Sequence, residues 1–348
     1  MTLLMMTSSR SCSAAGKYQR KMRISVAVCT YNGEKYISGQ IRSILKQTME
    51  VDEIIICDDN STDKTKEILT EFAAENLYIK LVFNKENLGF VKNFEKAISQ
   101  CSGDIIFLSD QDDIWVDNKI EIMMRTFDEN PKYSYIFSDA NVVDETGKNL
   151  GYSLWESVNF NKKKQKKFQT GKQKEILIYG NYITGATLAF RSEIKKFIIP
   201  FSINFFHDHW IGLLISFIDS SGLFLNEKLI NYRIHSNPVI SIPNDDRFTQ
   251  KMQEIKNISG GHLSNFENRI KQLNDIKSRL VGLHKLTIEN KLLIKELIYY
   301  FASRNRMYTM KKKERLKLIW ELFTKRYYRK YATSDFIALK DVVQKIIL

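Results

Sequence analysis

The apolar run Ile105-Ile106-Phe107-Leu108 ends directly in Ser109-Asp110-Gln111-Asp112-Asp113. Bulky apolar residues without a polar break read as a strand covered on both faces, the habit of a parallel sheet flanked by helices. Carboxylates crowded at the end of such a strand repel one another unless positive charge sits among them. In open α/β sheets the ligand crevice lies outside the carboxyl ends of the strands, where this cluster falls. A divalent cation carrying a phosphate-bearing ligand is the natural occupant.

The same alternation precedes the cluster. Ile24 to Val28 reads as a strand, Thr30-Tyr31-Asn32-Gly33 as a turn, and Glu34 to Lys46 as a helix with an apolar stripe at Tyr36, Ile37, Ile41, Ile44 and Leu45. Glu53 to Cys57 is the next strand, and it stops at Asp58-Asp59-Asn60-Ser61-Thr62-Asp63, rich in helix-capping residues. A helix over 64–75, a strand over 79–83, a loop over 84–89 and a helix over 90–100 follow. This β-α-β-α-β-α-β order argues for a parallel sheet of nucleotide-binding type.

After Pro131 the pattern turns mixed. Tyr135 to Ser138 reads as a strand, Glu145-Thr146-Gly147 as a turn, Asn161 to Lys167 as a basic loop and residues 182–190 as a strand. His207-Asp208-His209-Trp210 stands before an apolar helix over 211–217. From about residue 250 the chain reads as helical and charged.

Composition narrows the class. The chain has 348 residues, 43% of them hydrophobic, which is enough for one large domain with an appendage. No window approaches the roughly 18 uninterrupted apolar residues of a membrane span. Residues 1–21 read as a loose tail, with an apolar patch too short for a secretory signal. Cys12, Cys29, Cys57 and Cys101 form no CxxC pair and lack zinc spacing, so they read as free thiols of a reducing cytosol. Residues 251–348 carry 22 Lys+Arg against 9 Asp+Glu, while residues 1–250 balance at 31 against 31. A neutral body with a basic helical tail suits an anionic surface, membrane lipid before nucleic acid.

Four polar features meet at one edge of the expected sheet: Thr30-Tyr31-Asn32, Asp58-Asp59-x-Ser61-x-Asp63, Asn87-x-Gly89-x-x-x-Asn93 and Asp110-Gln111-Asp112-Asp113. Polar side chains there reach a base and ribose, and helix N-termini suit phosphate. No GxGxxG follows the first strand and no Walker loop is present, which argues against a dinucleotide dehydrogenase and a P-loop enzyme.

These stretches, with Thr184-Gly185, His207-Asp208-His209-Trp210 and Tyr232-Arg233-Ile234-His235, resemble a family-2 glycosyltransferase of the GT-A fold over roughly residues 22–240. The second set is similar to bacterial rhamnosyltransferase-like members. The resemblance implies a mixed, mainly parallel α/β sheet with flanking helices over 22–245 and a basic helical extension over 246–348. It implies that Thr30, Tyr31, Asn32, Glu34, Asp58, Asp59, Asn87, Gly89, Asn93 and Asp110 bind the nucleotide, with Asp63 holding its loop. Asp110 and Asp112, with His235, would hold Mg2+ or Mn2+, and Asp208 would be the catalytic base. Thr184, Gly185 and Trp210 would face the acceptor. His207 and His209 are expected as structural histidines rather than zinc ligands, and Asp113 is expected to start a helix before Trp115 and support its loop.

The implied reaction is inverting transfer from dTDP-rhamnose or a UDP-sugar to a glycan or lipid-linked acceptor in cell-surface polysaccharide synthesis. The implied place is the cytoplasm, or the inner face of the cell membrane. Leu316, Ile319, Trp320, Phe323 and Tyr327 follow helical spacing among basic residues, so 311–331 reads as a lipid-lying helix, a helix packed on the body or a dimer contact. A nucleotidyltransferase would want a glycine- and lysine-rich loop after the first strand, which Thr30 to Lys35 does not supply. A nucleic-acid binder is opposed by the neutral body and acidic crevice, and no nucleic-acid partner is expected.

Overall fold

The computed structural model describes residues 22–219, 221–234, 266–332 and 337–343. Cys12, His235, the tail over 1–21 and the expected boundary at 245/246 lie outside the described residues. The strands are β1 (Ile24–Thr30), β2 (Glu53–Asp58), β3 (Ile79–Phe83), β4 (Ile105–Ser109), β5 (Ile114–Trp115), β6 (Tyr135–Val143), β7 (Asn149–Ser153), β8 (Leu188–Arg191) and β9 (Gly222–Arg233). They form one sheet in the order β3-β2-β1-β4-β8-β6-β9-β5, with β7 on β6. The four strands β3, β2, β1 and β4 are parallel. β8 runs antiparallel between β4 and β6, and β9 is parallel to β6. The mixed α/β sheet expected from the sequence is present.

Successive residues of β1 and β2 go to opposite faces, as the pleat requires. Val26, Val28, Ile54 and Ile56 pack with Ile37, Ile41 and Ile44 on one side. Ala27, Cys29, Ile55 and Cys57 pack with Phe94, Ala97 and Ile98 on the other. Both faces are therefore covered by helices, which is why these strands read as unbroken apolar text. Cys29, Cys57 and Cys101 are buried free thiols, and burial pushes the Cys57 and Cys101 thiols up to about 12.

The edge of the sheet away from the carboxyl ends is tied by Glu53. Its buried carboxylate accepts from Ser25 Oγ at 2.6 Å, Lys80 Nζ at 2.8 Å, Ser102 N at 2.5 Å and Ser102 Oγ at 2.9 Å. Burial works against the charge, but the donors of Lys80, Ser25 and Ser102 outweigh it and hold the carboxyl at about 2.

The basic C-terminal part packs on this body. Leu273, Ile276 and Leu280, on a helix through 266–282, join the second core layer. So do Ile294, Leu297 and Tyr300 of the helix Ile288–Met307, and Leu318 and Leu322 of the helix Lys312–Thr324. Asn290 Nδ2 donates to the Phe217 carbonyl at 2.8 Å, and Arg269 Nη2 to that of Tyr179 at 2.8 Å. The expected stripe over 316–327 is split. Ile319 is buried and Tyr327 half-buried, while Trp320 (67% exposed) and Phe323 (60% exposed) face outward beside Leu316. Among the described residues no helix is long and apolar enough to cross a membrane.

Several elements differ from the sequence reading. The lysine run is a helix, Lys162–Gln169, because Asn161 Oδ1 caps Lys164 N at 3.2 Å and Gln165 and Phe168 turn inward. The strand over 182–190 shrinks to β8, since Gly185–Thr187 form a 3-10 turn. The helix expected from 211 starts at His207 and runs to Ile218. Asp113 does not start a helix: the short strand β5 follows it, and the next helix begins at Lys119.

Candidate active site

Two loops at the carboxyl ends of β1 and β2 are laced together. Asn32 N–H donates to Ser61 Oγ at 2.8 Å, Gly33 N–H to Thr65 Oγ1 at 2.8 Å, and Glu34 N–H to Asp63 Oδ2 at 3.1 Å. In return Thr62 N–H donates to Asn32 Oδ1 at 2.9 Å, and Lys64 N–H to Glu34 Oε2 at 2.9 Å. Asn32 sits at φ 48°, a conformation asparagine tolerates better than most residues.

Asp59 fixes the next loop. Its Oδ1 accepts from Asn84 Nδ2 and Leu88 N, each at 2.8 Å, and its Oδ2 accepts from Gly89 N at 2.9 Å. Asn93 Nδ2 donates to the Cys57 carbonyl at 2.9 Å while its Oδ1 accepts from Asn84 at 2.9 Å. Asn87 Oδ1 also accepts from Gly89 N, at 3.0 Å. Gly89 has φ +77° immediately before the helix Phe90–Gln100, which suits glycine and turns the chain into the helix.

The acidic loop is anchored from both sides. Gln111, a mere spacer in the sequence reading, accepts through Oε1 from Thr30 Oγ1 at 2.7 Å and Tyr31 N at 2.8 Å, and donates through Nε2 to the Tyr31 carbonyl at 3.2 Å. Arg233 donates its N–H to Asp113 Oδ1 at 3.0 Å and its Nε–H to the Asp112 carbonyl at 2.9 Å. Beneath the loop lies Lys119, fully buried. Its ammonium donates to the Ala186 carbonyl at 2.6 Å and stands 3.8 Å from the centre of the Trp115 ring. Burial pushes this ammonium down to about 7, opposed by Asp113 and Asp110. Burial and the charges of Asp112 and Asp208 push the Asp110 carboxyl up, and Asp113 is raised for kindred reasons. A lysine on the inward stripe of the helix Lys119–Glu129, beside Ile120, Met123, Met124 and Phe127, was a legible sign of such a role.

The opposite wall comes from the second half of the chain. Asp208, in the first turn of the helix His207–Ile218, accepts at Oδ1 from Asn181 Nδ2 at 2.8 Å and His209 N at 2.6 Å, and at Oδ2 from Gly185 N at 2.9 Å. Burial raises its carboxyl to about 6, although these three donors pull the other way. His209 Nε2 pairs with the Leu177 carbonyl at 2.7 Å, a structural bond. His207 makes no such bond; among the described residues neither of its ring nitrogens has a partner.

The walls enclose a cavity of about 650 Å³. Thr30, Tyr31, Asp59, Asn87, Gly89, Asn93, Asp110, Asp112, Thr184, Gly185 and Asp208 line it, with Gln111, Phe90, Phe206, His207 and Arg233, to which the sequence assigns no binding role. Asn32, Glu34 and Asp58 do not line it. Asn32 and Glu34 hold the neighbouring loop, and Asp58 is buried against the Ser61 amide at 2.9 Å and its hydroxyl. In this structure all three support the loops of the site. Trp210 is corrected too. It is buried behind the wall, donating to the Ile198 carbonyl at 2.7 Å, because two residues along a helix turn the side chain to the far side.

Residues 25–195, which supply the β1, β2 and β4 ends and the floor at Gly185, match the family described as glycosyl transferase family 2. This stretch is a family-2 glycosyltransferase domain. An uncharacterized glycosyltransferase of Haemophilus influenzae is 28% identical over 293 residues, covering 82% of this chain and 88% of that one. The Escherichia coli protein WfgD, named as a UDP-Glc:alpha-D-GlcNAc-diphosphoundecaprenol beta-1,3-glucosyltransferase, is 33% identical over 121 residues, 35% of this chain and 47% of WfgD. Among solved structures, Staphylococcus aureus TarS 1–349 in complex with UDP superposes with a TM-score of 0.51 at 19% identity, covering 86% of this chain and 78% of that one. That likeness is one of fold, and it makes the sheet of the family-2 domain a GT-A sheet.

The donor set at the acidic loop fits a hard divalent cation. Asp110 and Asp112 both line the cavity, and no group of three or more His, Cys, Asp or Glu comes together among the described residues. Two carboxylates, with the rest of the shell left to phosphate and water, is the habit of Mg2+ rather than of zinc.

Proposed function

We propose that this glycosyltransferase moves a sugar from a nucleoside diphosphate to a hydroxyl of a glycan or lipid-linked acceptor, with inversion at the anomeric carbon. One observation carries the reading: Asp208 shares a single cavity with Asp110 and Asp112, although it arrives from a different wall. Thr30, Tyr31, Asp59, Asn87, Gly89 and Asn93 then form the nucleotide end. Asp110 and Asp112 are the residues to hold Mg2+ or Mn2+, which when bound supplies positive charge beside the leaving diphosphate. Asp208 takes the proton of the acceptor hydroxyl, held in place by Asn181, Gly185 and its own helix start.

The name of WfgD carries a UDP-glucose donor and a diphosphoundecaprenol acceptor, and TarS has been solved with UDP and with UDP-GlcNAc. These favour a UDP-sugar as the first donor to try, with dTDP-rhamnose second, and a lipid-linked acceptor in cell-surface polysaccharide synthesis. Trp320 and Phe323 add a reason to work at an anionic membrane face. Their rings stack outward at 6.1 Å, with the exposed Lys311, Lys312, Lys313 and Lys317 nearby on the chain.

The test is a thermal-shift panel of UDP, dTDP and their sugars with and without Mn2+. A nucleotide at 100 times its dissociation constant adds about 2.7 kcal/mol. Silence toward every member overturns the proposal.

A further inference from the structure

Two phenyl rings stay in the open at the cavity. Phe90 is 47% exposed and Phe206 45% exposed, both line the cavity, and their rings stack with centroids 5.5 Å apart and planes 27° apart. A stacked apolar pair left uncovered at a cavity is the kind of exposure that marks a contact surface.

Behind the pair lies His207, only 6% exposed. Its ring lies on Phe94 at 3.9 Å and 20°, and edge-on to Phe90 at 6.4 Å and 69°. Among the described residues neither Nδ1 nor Nε2 has a hydrogen-bond partner. Burial pushes this imidazole down to about 3, so it is neutral in ordinary buffers and keeps one donor and one acceptor. An unpaired buried polar group destabilises a fold, and no internal bond among the described residues offsets it here. His209, two residues on, shows the alternative: its ring is paired with a carbonyl. The fold also makes room for the unpaired ring, because a Cβ on Gly185 would collide with His207 Nε2.

We propose that Phe90, Phe206 and His207 form an acceptor subsite for a sugar ring, the phenyl pair stacking on its apolar face and the imidazole bonding one of its hydroxyls. Phe206 and His207 immediately precede Asp208, so the ring they hold is the one whose hydroxyl is activated. The inference rests on the transferase reading and deepens it: the acceptor presents a pyranose, not an open polyol or a bare lipid alcohol. Aromatic faces and one neutral imidazole suit such a group, since each offers contact without a charge to compensate.

The test is saturation-transfer NMR on the full chain with methyl β-glucopyranoside, methyl N-acetyl-β-glucosaminide and glycerol, alongside calorimetry with UDP and dTDP. Pyranosides should receive saturation and glycerol should not. Phe90→Ala with Phe206→Ala should weaken pyranoside binding by about tenfold and leave nucleotide affinity unchanged. His207→Phe should weaken it too, yet raise Tm, because it removes unpaired polar atoms; His207→Gln should retain part of the binding. Equal signals from glycerol and pyranosides overturn the subsite. So does a double variant that binds pyranosides like wild type, or one that loses nucleotide affinity instead. A His207→Phe chain that melts earlier and binds pyranosides normally also overturns it. Pyranoside binding without any nucleotide response supports the subsite and overturns the donor reading alone.

Discussion

The N–H of Gly185 donates to Asp208 Oδ2 at 2.9 Å, and the space opened by the missing side chain of Gly185 is taken by His207. One glycine thus orients the proposed base and seats its neighbour. Gly185→Ala drives either the imidazole or the 3-10 turn out of place. Turnover should fall by about 100-fold, the scale for an ångström-sized misplacement, with nucleotide affinity unchanged. Steady-state kinetics and nucleotide calorimetry on the same preparation check this; unchanged turnover would show that the turn relaxes freely.

Asp208→Asn should remove transfer by about 100- to 10,000-fold and spare nucleotide binding. The buried Asp208 carboxyl stands at about 6 against an ordinary value of 3.8. A base works ionised, so kcat/KM should climb with pH up to about 6 and then level. The stability sign is opposite. A raised carboxyl favours the folded chain while protonated, and that contribution is lost as pH rises through 6. A rate profile flat down to pH 5 would remove Asp208 from the role of base.

Far from the cavity, Glu53 supplies a stability test with the other sign. Its carboxyl is held at about 2 against an ordinary 4.5, so its contribution is complete above 4.5 and lost as pH falls through 2. The size is about 3 kcal/mol at neutral pH. Glu53→Gln should unfold in less urea at pH 7, and the gap to wild type should narrow by pH 3. A gap of equal width at both pH values would mean packing, not charge, is responsible.

Trp320→Ser with Phe323→Ser should leave Tm nearly unchanged, because both rings are mostly exposed. Wild type should sediment with phosphatidylglycerol vesicles and the double variant about tenfold less. Sedimentation of both in equal amounts would detach this helix from membrane binding.

Much of the donor half was legible because burial and sequence coincide there. Ile54-Ile55-Ile56 and Ile105 to Leu108 are covered on both faces, so their text is unbroken, and Gly89 marks its helix start. The second half hid more. The lysine-rich helix shows only Gln165 and Phe168 as its inward face, too little for a periodic signal. Trp210 misled through nearness in sequence to Asp208, since helical rotation separates what the chain puts side by side. His207 and His209 are the same residue type two positions apart. Their opposite fates depend on the Leu177 carbonyl, which no local pattern announces. Gln111 was passed over because its partners, Thr30 and Tyr31, lie about eighty residues away.

The pairing of β4 with β8 sets Ile105, Ile106 and Phe107 backbone to backbone with Arg191, Phe190 and Ala189. It is the seam where the two halves of the crevice meet. Phe90 apart, the proposed nucleotide end lies before that seam in the chain and the proposed acceptor face after it. Main-chain pairing is indifferent to most side-chain changes around it. Residues 181–208 lie across that pairing from β1, β2 and β3, so substitutions among them alter the proposed acceptor face while the strands that carry the proposed nucleotide end keep their own main-chain ladder.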